Sequence, residues 1–442
     1  MRFLKWAAAS AAMATVALLT ACGGSGSTTK ADMRLINASA GYSTLDMTVN
    51  SVSVSTGVAY GAAGSYTSVD TTLTGTQIIN ASTTVLQTTP TLAGDAKYSL
   101  IAYGWPNAMR TALLQEQEPA PAANVAKLLV LNLAPDAGPV NVYLTAGTGN
   151  PVAGTAAFAT AVQGGSGSGY LQTASGTYHV RVTGSASVDV TTDVRMDFDG
   201  LVLDSTTVNT LIITPSQGGV LVNAMSVVQQ GAVKAYGGNN ARIRVIHSVL
   251  GTGGPNAAVV AAHGTTSLMN TSFPATIGNY SIVTAGTAGG STNVSVDGVA
   301  LPADATALVA GNDYTVLVYG TAAAPHATLI IDDNKLPANG YAKFRILNGA
   351  ADPGQAMTMK LNFTPISDST PIATASTPYT TIATAGANLV VTAANLPGQS
   401  AFSLQNFTMV NQGVYTVYML GTTGAQTNGV TTNLVSELRQ DR

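Results

Sequence analysis

Four histidines, one cysteine and a few aspartates beside proline are the side chains of this chain with the types to do chemistry. A catalytic or metal site needs such groups at short spacing on one element. His179, His247, His263 and His326 do not have it, and a single cysteine allows no intrachain disulfide. His247 ends the phrase Ile243-Arg-Val-Ile-His247, and three similar phrases end on Asn37, Asn132 and Asn348. A side chain that exchanges with asparagine is read as closing a turn by local hydrogen bonds, not as a general base. Asp136 and Asp352 follow the phrase-ending asparagine by four residues, each beside a proline. Aspartate in such a turn normally caps its own backbone. A repeated Ca²⁺ site is disfavoured because Gly41 and Gly251 stand at the same offset in the other two copies. No metal site and no cofactor is therefore expected.

Serine chemistry fares no better. No Gly-x-Ser-x-Gly elbow joins a strand to a helix, and Gly164-Gly-Ser-Gly-Ser-Gly169, lacking a following helix, reads as a flexible loop. Asp332-Asp333-Asn334 reads as a solvated turn, and Trp105 as packing in preference to sugar stacking. Carboxylate pairs for glycoside hydrolysis have few candidates. No catalytic residue is assigned, and the chain is read as not an enzyme. A hydrolase of envelope polymers ranks third among the readings.

The one cysteine has a use. Arg2 and Lys5 precede the apolar run from Ala7 to Leu19, which is too short to span a bilayer, and Leu19-Thr-Ala-Cys22 follows. This resembles a bacterial lipobox, which implies cleavage between Ala21 and Cys22 and acylation of the Cys22 thiol and amine. Several acyl chains anchor stably where one anchors only marginally. Residues 1–21 are thus expected to be a lipoprotein signal peptide, and 22–31 a flexible Gly/Ser tether. Gly23 stands where an aspartate would resemble an inner-membrane retention signal, so the outer membrane is expected.

The elements that must position everything else come from the four phrases: Met33-Arg-Leu-Ile-Asn37, Leu128-Leu-Val-Leu-Asn132, Ile243-Arg-Val-Ile-His247 and Phe344-Arg-Ile-Leu-Asn348. Each opens a segment of about a hundred residues, so the period is a whole domain and not a solenoid unit. Strictly alternating runs follow, such as Leu45/Met47/Val49 and Met357/Met359/Leu361, as expected of strands with one buried face. The run at Ala257–Ala261 is apolar throughout and less clear. Mid-module tyrosines recur at Tyr66, Tyr170, Tyr280 and Tyr379. Continuous apolar runs such as Tyr314-Thr-Val-Leu-Val-Tyr-Gly320 suit a strand buried at the centre of a sandwich. Asp297-Gly298 signals a type I′ hairpin.

Only 9% of residues are charged while 46% are apolar, so the wetted faces must be largely Thr, Ser, Asn and Gly. Net charge is −3, or −5 with 16 basic and 21 acidic residues once Arg2 and Lys5 leave with the leader. Without basic clusters, no nucleic acid partner is expected. The expected fold is all-β: tandem immunoglobulin-like antiparallel β-sandwich modules over 32–120, 124–236, 240–337 and 341–442. The loose joints between them should be exposed, with few contacts crossing.

These features together resemble the bacterial domain of unknown function 4397, found in exported proteins and lipoproteins. Ala241-Arg-Ile-Arg-Val-Ile-His247 matches the first half of its opening motif and Ala134-Pro-Asp-Ala-Gly-Pro-Val-Asn-Val-Tyr-Leu144 the second. Ala350-Ala-Asp-Pro353 and Tyr314–Gly320 also match. The resemblance implies an exported β-rich domain and no reaction. The leading functional expectation is a non-catalytic, lipid-anchored envelope protein with an interaction, adhesion or scaffolding role. The alternative is an envelope protein that binds a glycan or small ligand. Expected partners are the membrane, through Cys22, and an envelope protein or glycan.

Overall fold

The computed structural model describes residues 29–249, 257–272, 275–302, 307–351, 356–394, 396, 399–421 and 434–442. Ala21, Cys22, Gly251 and Asp352 lie outside them. Among the described residues there are strands and two short 3-10 turns, at Pro135–Ala137 and Thr287–Gly289, but no α-helix.

The first module shows how the sequence builds the unit. Its strands are β1 (Lys30–Asn37), β2 (Thr44–Val49), β3 (Val52–Ala59), β4 (Thr67–Asp70), β5 (Thr76–Asn80), β6 (Thr83–Thr88), β7 (Lys97–Tyr103) and β8 (Arg110–Gln115). They form two sheets, ordered β4-β1-β7-β8 and β3-β2-β5-β6. Alternation on β2 turns Leu45, Met47 and Val49 inward, where they meet Met33 and Leu35 of β1 and Leu100 of β7. The same pair of sheets recurs three times, giving eight sheets in repeated sandwich-like modules. In the third, Val259 and Ala261 are buried while Val260 is 43% exposed. The ambiguous apolar run thus alternates after all. Asp297 and Gly298, both at positive φ, make the two-residue turn that lets Val296 face Val299.

Three expectations need correcting. The sandwich is not antiparallel throughout, because β1 runs parallel to β7 in register Met33↔Tyr98 through Asn37↔Ala102. The same holds for Val125–Asn132 with Val208–Pro215, Asn240–His247 with Asp313–Thr321, and Tyr341–Ala350 with Val414–Gly421. A parallel pair needs a long crossover, and the chain supplies one by building the second sheet before it returns. In the immunoglobulin order the first strand is an edge; here it is internal. Next, the tether does not reach Ala31: Lys30 and Ala31 already pair with Asp70 and Val69, and Ala31 is buried. Finally, Gly167 lies in an edge strand, Ser166–Ala174, opposite Leu131, and not in a flexible loop.

The modules also do not hang as beads. Strand β1 is buried on both faces: Met33 and Leu35 enter the sandwich core, while Ile36 joins Ile101 and Tyr103 against Leu133, Ile212 and Met225 of the second module. The third and fourth modules repeat this seam with Ile246 and Leu317 against Leu347, Tyr418 and Leu420. Burial on both faces is the physical reason that the phrase and the late strand lack the apolar/polar alternation of the outer strands. Modules two and three are joined by hydrogen bonds from Ser216 Oγ (2.9 Å) and the Gly218 N–H (2.6 Å) to the Gly311 carbonyl.

A seam residue should therefore behave as a core residue. Leu317→Ala is expected to cost about 2–5 kcal/mol in denaturant unfolding, the range for a buried leucine. A cost below about 0.5 kcal/mol, typical of surface positions, would show that the seam does not form in solution.

Candidate functional site

The phrase-ending residues share one local geometry. Asn37 Oδ1 accepts the Ser39 N–H at 3.1 Å, while its amide donates to the Tyr42 and Val58 carbonyls. Asn132 does the same with Ala134 (3.0 Å), Gly138 and Val162, and Asn348 with Ala350 (3.2 Å) and Thr370. In His247, Nδ1 takes the Val249 N–H at 3.1 Å and Nε2 faces the Ala257 carbonyl at 3.0 Å. Nδ1 thus stands in for Asn Oδ1 and Nε2–H for the amide donor, which requires the neutral ring. Burial pushes the His247 pKa down, against the pull of the Ala257 carbonyl.

Asp136 is placed differently from its expected role. It does not cap the 3-10 turn that contains it. Its carboxylate is buried and accepts the Trp105 indole N–H of the first module at 2.6 Å. The Leu336 backbone also donates to it, and Arg442 lies near enough to stabilise its charge, although burial raises its pKa overall. Four modules therefore converge on one aspartate. Trp105 is packed, as its sequence context suggested, but through a directed bond.

The charged residues that converge most are those the phrases carry at their second position. Arg34 Nε donates to Ser99 Oγ at 2.7 Å, and its Nη2 reaches both Glu116 oxygens at 3.0 and 3.2 Å. Its Nη1 crosses the seam to the Gly231 carbonyl at 2.7 Å, and the Gln230 N–H returns to Glu116. In the other pair the exchange is reciprocal. Arg244 holds Thr315 Oγ1 at 2.9 Å and crosses to Asp441 at 3.0 Å. Arg345 holds Thr416 Oγ1 at 2.9 Å and crosses to Asp332 at 2.9 Å. Each arginine also lies 3.8 Å from its own module's aspartate. Burial would raise the pKa of Asp332, but Arg345 and Arg244 outweigh it and hold the carboxyl below its usual value. Asp332 is thus fully buried in this seam, not in a solvated turn.

Two of the mid-module tyrosines belong to the same clusters. The Tyr66 ring lies 4.6 Å from the Arg34 guanidinium, and the Tyr280 ring lies 4.4 Å from that of Arg244. Tyr280 also donates its hydroxyl to Asp332 at 2.6 Å. Both residue types recur visibly in the sequence, yet their contact does not follow from spacing. The second module has Leu129 at the arginine position and offers backbone groups instead.

The other histidines stay apart. His179 sits on an outer sheet with both ring nitrogens toward Asp197 and Asp199, beside Arg181. His263 meets Thr292. Among the described residues, no three His, Cys, Asp or Glu side chains group as metal ligands.

A cleft of about 740 Å³ opens where the first module, the second module and the joint between the third and fourth meet. Lys335, Lys343 and Asp333 line it beside Trp105, and Lys343 Nζ binds the Lys335 carbonyl at 2.6 Å and Asp333 at 3.1 Å. The joint at 336–340, expected to be an exposed linker, instead forms one wall, with Pro337 buried.

The repeated strand phrase, its Asn or His turn and the alternating strand behind it are the features that a family model recognises. A model described as a domain of unknown function, DUF4397, matches residues 31–143 and 241–357. The chain belongs to the DUF4397 family. The matches make two tandem copies and not four, and each runs through one whole sandwich into the first strands of the next, across a seam. No curated protein matches. Three solved structures, each described as a "putative cell adhesion protein", are similar over parts of the chain. The one from Bacteroides uniformis ATCC 8492 is 12% identical and covers 47% of this chain and 98% of its own, with a TM-score of 0.23. That from Parabacteroides distasonis ATCC 8503 is 12% identical over 72% and 98%, with a TM-score of 0.19. That from Bacteroides eggerthii DSM 20697 is 13% identical over 73% and 97%, with a TM-score of 0.15.

Two outcomes test this geometry. Arg34→Met should cost about 3–5 kcal/mol in equilibrium unfolding, since it strands a buried Glu116, and the double variant Arg34→Met/Glu116→Met should cost less than the single one. Next, His247→Asn should be nearly neutral at pH 8, whereas His247→Leu should lose about 1–3 kcal/mol. The folded pKa of His247 lies below its unfolded value of 6.5. Its stabilising share is therefore present above pH 6.5 and lost as pH falls through the folded value. Thermal melts of His247→Asn should show a shallower decline below pH 6.5 than those of the parent chain.

Proposed function

We propose that this chain is a non-catalytic envelope protein, anchored by lipid on Cys22 and serving as an adhesion, interaction or scaffolding body at the outer membrane. The observation that carries the reading is the use of the convergent charges. Arg34, Arg244 and Arg345 and their carboxylates are buried at the seams, where they join modules. A body fused in this way transmits force and presents surfaces at fixed spacing, as an adhesive or scaffolding role requires. Membership of the family supplies no reaction to set against it. The anchor rests on the lipobox-like Leu19-Thr-Ala-Cys22, and the outer-membrane address on Gly23.

Cell fractionation tests the anchor. The parent chain should sediment with outer membranes and take up a radiolabelled or clickable acyl chain. Cys22→Ala should lose the label and leave the membrane fraction. Retention of that variant in the membrane would refute lipid anchoring. For the interaction role, crosslinking in the native host should link a reproducible face of the body to an envelope component, whereas crosslinks scattered evenly over all four modules would count against a dedicated surface.

A further inference from the structure

Ligand sites favour domain junctions, and clefts of about 300–1,000 Å³ with a few converging polar groups are typical of them. The four-module cleft, at about 740 Å³, falls in that range. Its walls are mixed: Pro106, Leu336 and Ala338 are apolar, whereas Asn107, Gln217 and Thr380 offer amide and hydroxyl groups. Tyr341, 40% exposed, adds an open aromatic face.

The charge balance is the informative part. Lys335 and Lys343 share a single carboxylate, Asp333, at 3.5 and 3.1 Å. An ammonium has three donors, and Lys343 Nζ uses two, on Asp333 and the Lys335 carbonyl, so one remains. Lys343 is also buried, and the cost of desolvating its charge lowers its pKa. Lys335 Nζ lies 5.2 Å from the Trp105 ring centre, and the Trp105–Asp136 bond fixes that ring in place. The cleft lining therefore sets two ammonium groups against one carboxylate, with the buried Asp136 behind the Trp105 ring also within electrostatic reach of Lys343.

The geometry points to this cleft as a binding site for an acidic glycan, with the carboxylate of a uronic acid residue held by Lys343 and Lys335. A ligand carboxylate takes the remaining Lys343 donor and offsets the desolvation of its charge. Ring hydroxyls meet Asn107, Gln217 and Thr380, and the apolar C–H face of the sugar lies on Pro106 and Tyr341. The site follows from the packing of the modules and does not depend on how the chain is anchored.

Trp105 is the only tryptophan outside residues 1–22, so its fluorescence reports directly on the cleft. Titrating the purified chain from residue 22 onward, which lacks Trp6, with a trigalacturonate should give a saturable change in emission. The fully methyl-esterified trisaccharide, which is neutral but otherwise alike, should bind at least tenfold more weakly, and inorganic phosphate should neither saturate the signal nor compete. Lys343→Met should weaken trigalacturonate binding at least tenfold. Lys335→Gln, at a partly exposed position whose ion pair with Asp333 is worth at most about 1 kcal/mol, should weaken it at least threefold with a nearly unchanged melt. Equal binding of acid and ester would overturn the proposal, as would competition by phosphate at similar concentration or an unaltered affinity of Lys335→Gln.

Discussion

An arginine in the middle of an otherwise apolar strand has few places to put its charge. In β1 and its counterparts one face belongs to the sandwich core, so the guanidinium must leave through the other face, against the neighbouring module. There it needs a carboxylate, because an unpaired charge in that position would cost far more than the seam could return. The third and fourth modules supply it reciprocally, Arg244 to Asp441 and Arg345 to Asp332, whereas Arg34 takes Glu116 of its own module and reaches across the seam to the Gly231 carbonyl. Between the third and fourth modules that reciprocity sets which sheet of each faces the other.

Fusion of modules in pairs gives a different object from a string of sandwiches. Intramolecular interfaces are by default weak enough to allow relative motion. Here the seams combine apolar burial with buried ion pairs, which set register as well as energy. The family match has the same period as the paired unit, since each matched stretch runs across a seam into the next module's first strands. Its opening motif therefore describes a junction as much as a domain.

The legible parts of this architecture were the local ones. The turn made by Asn37, Asn132, His247 and Asn348 spans two residues, so recurrence of hydrogen-bonding types at one position was enough to find it. Period two on Leu45, Met47 and Val49 gave the inward face for the same reason. The parallel pairing of β1 with β7 was not visible, because both strands are buried on both faces and carry no alternation that fixes a register. Nor were the charge clusters: Arg244 and Asp441 are 197 residues apart, and no local pattern links them. Asp136 was misread because a proline-flanked aspartate usually serves its own turn. This one is aimed instead at Trp105, from a different module.

A sparse complement of charge sharpens what the remaining charges mean. With 9% of residues charged, a fold that buries several Arg and Asp side chains at its seams leaves few for its surface. Solubility then rests on Thr, Ser, Asn and Gly, and most of the outer sheets lack electrostatic character. Against that background, two lysines facing one aspartate in a cleft stand out more than they would on an ordinary surface. The low charge that made the sequence look uninformative is what gives the cleft its contrast.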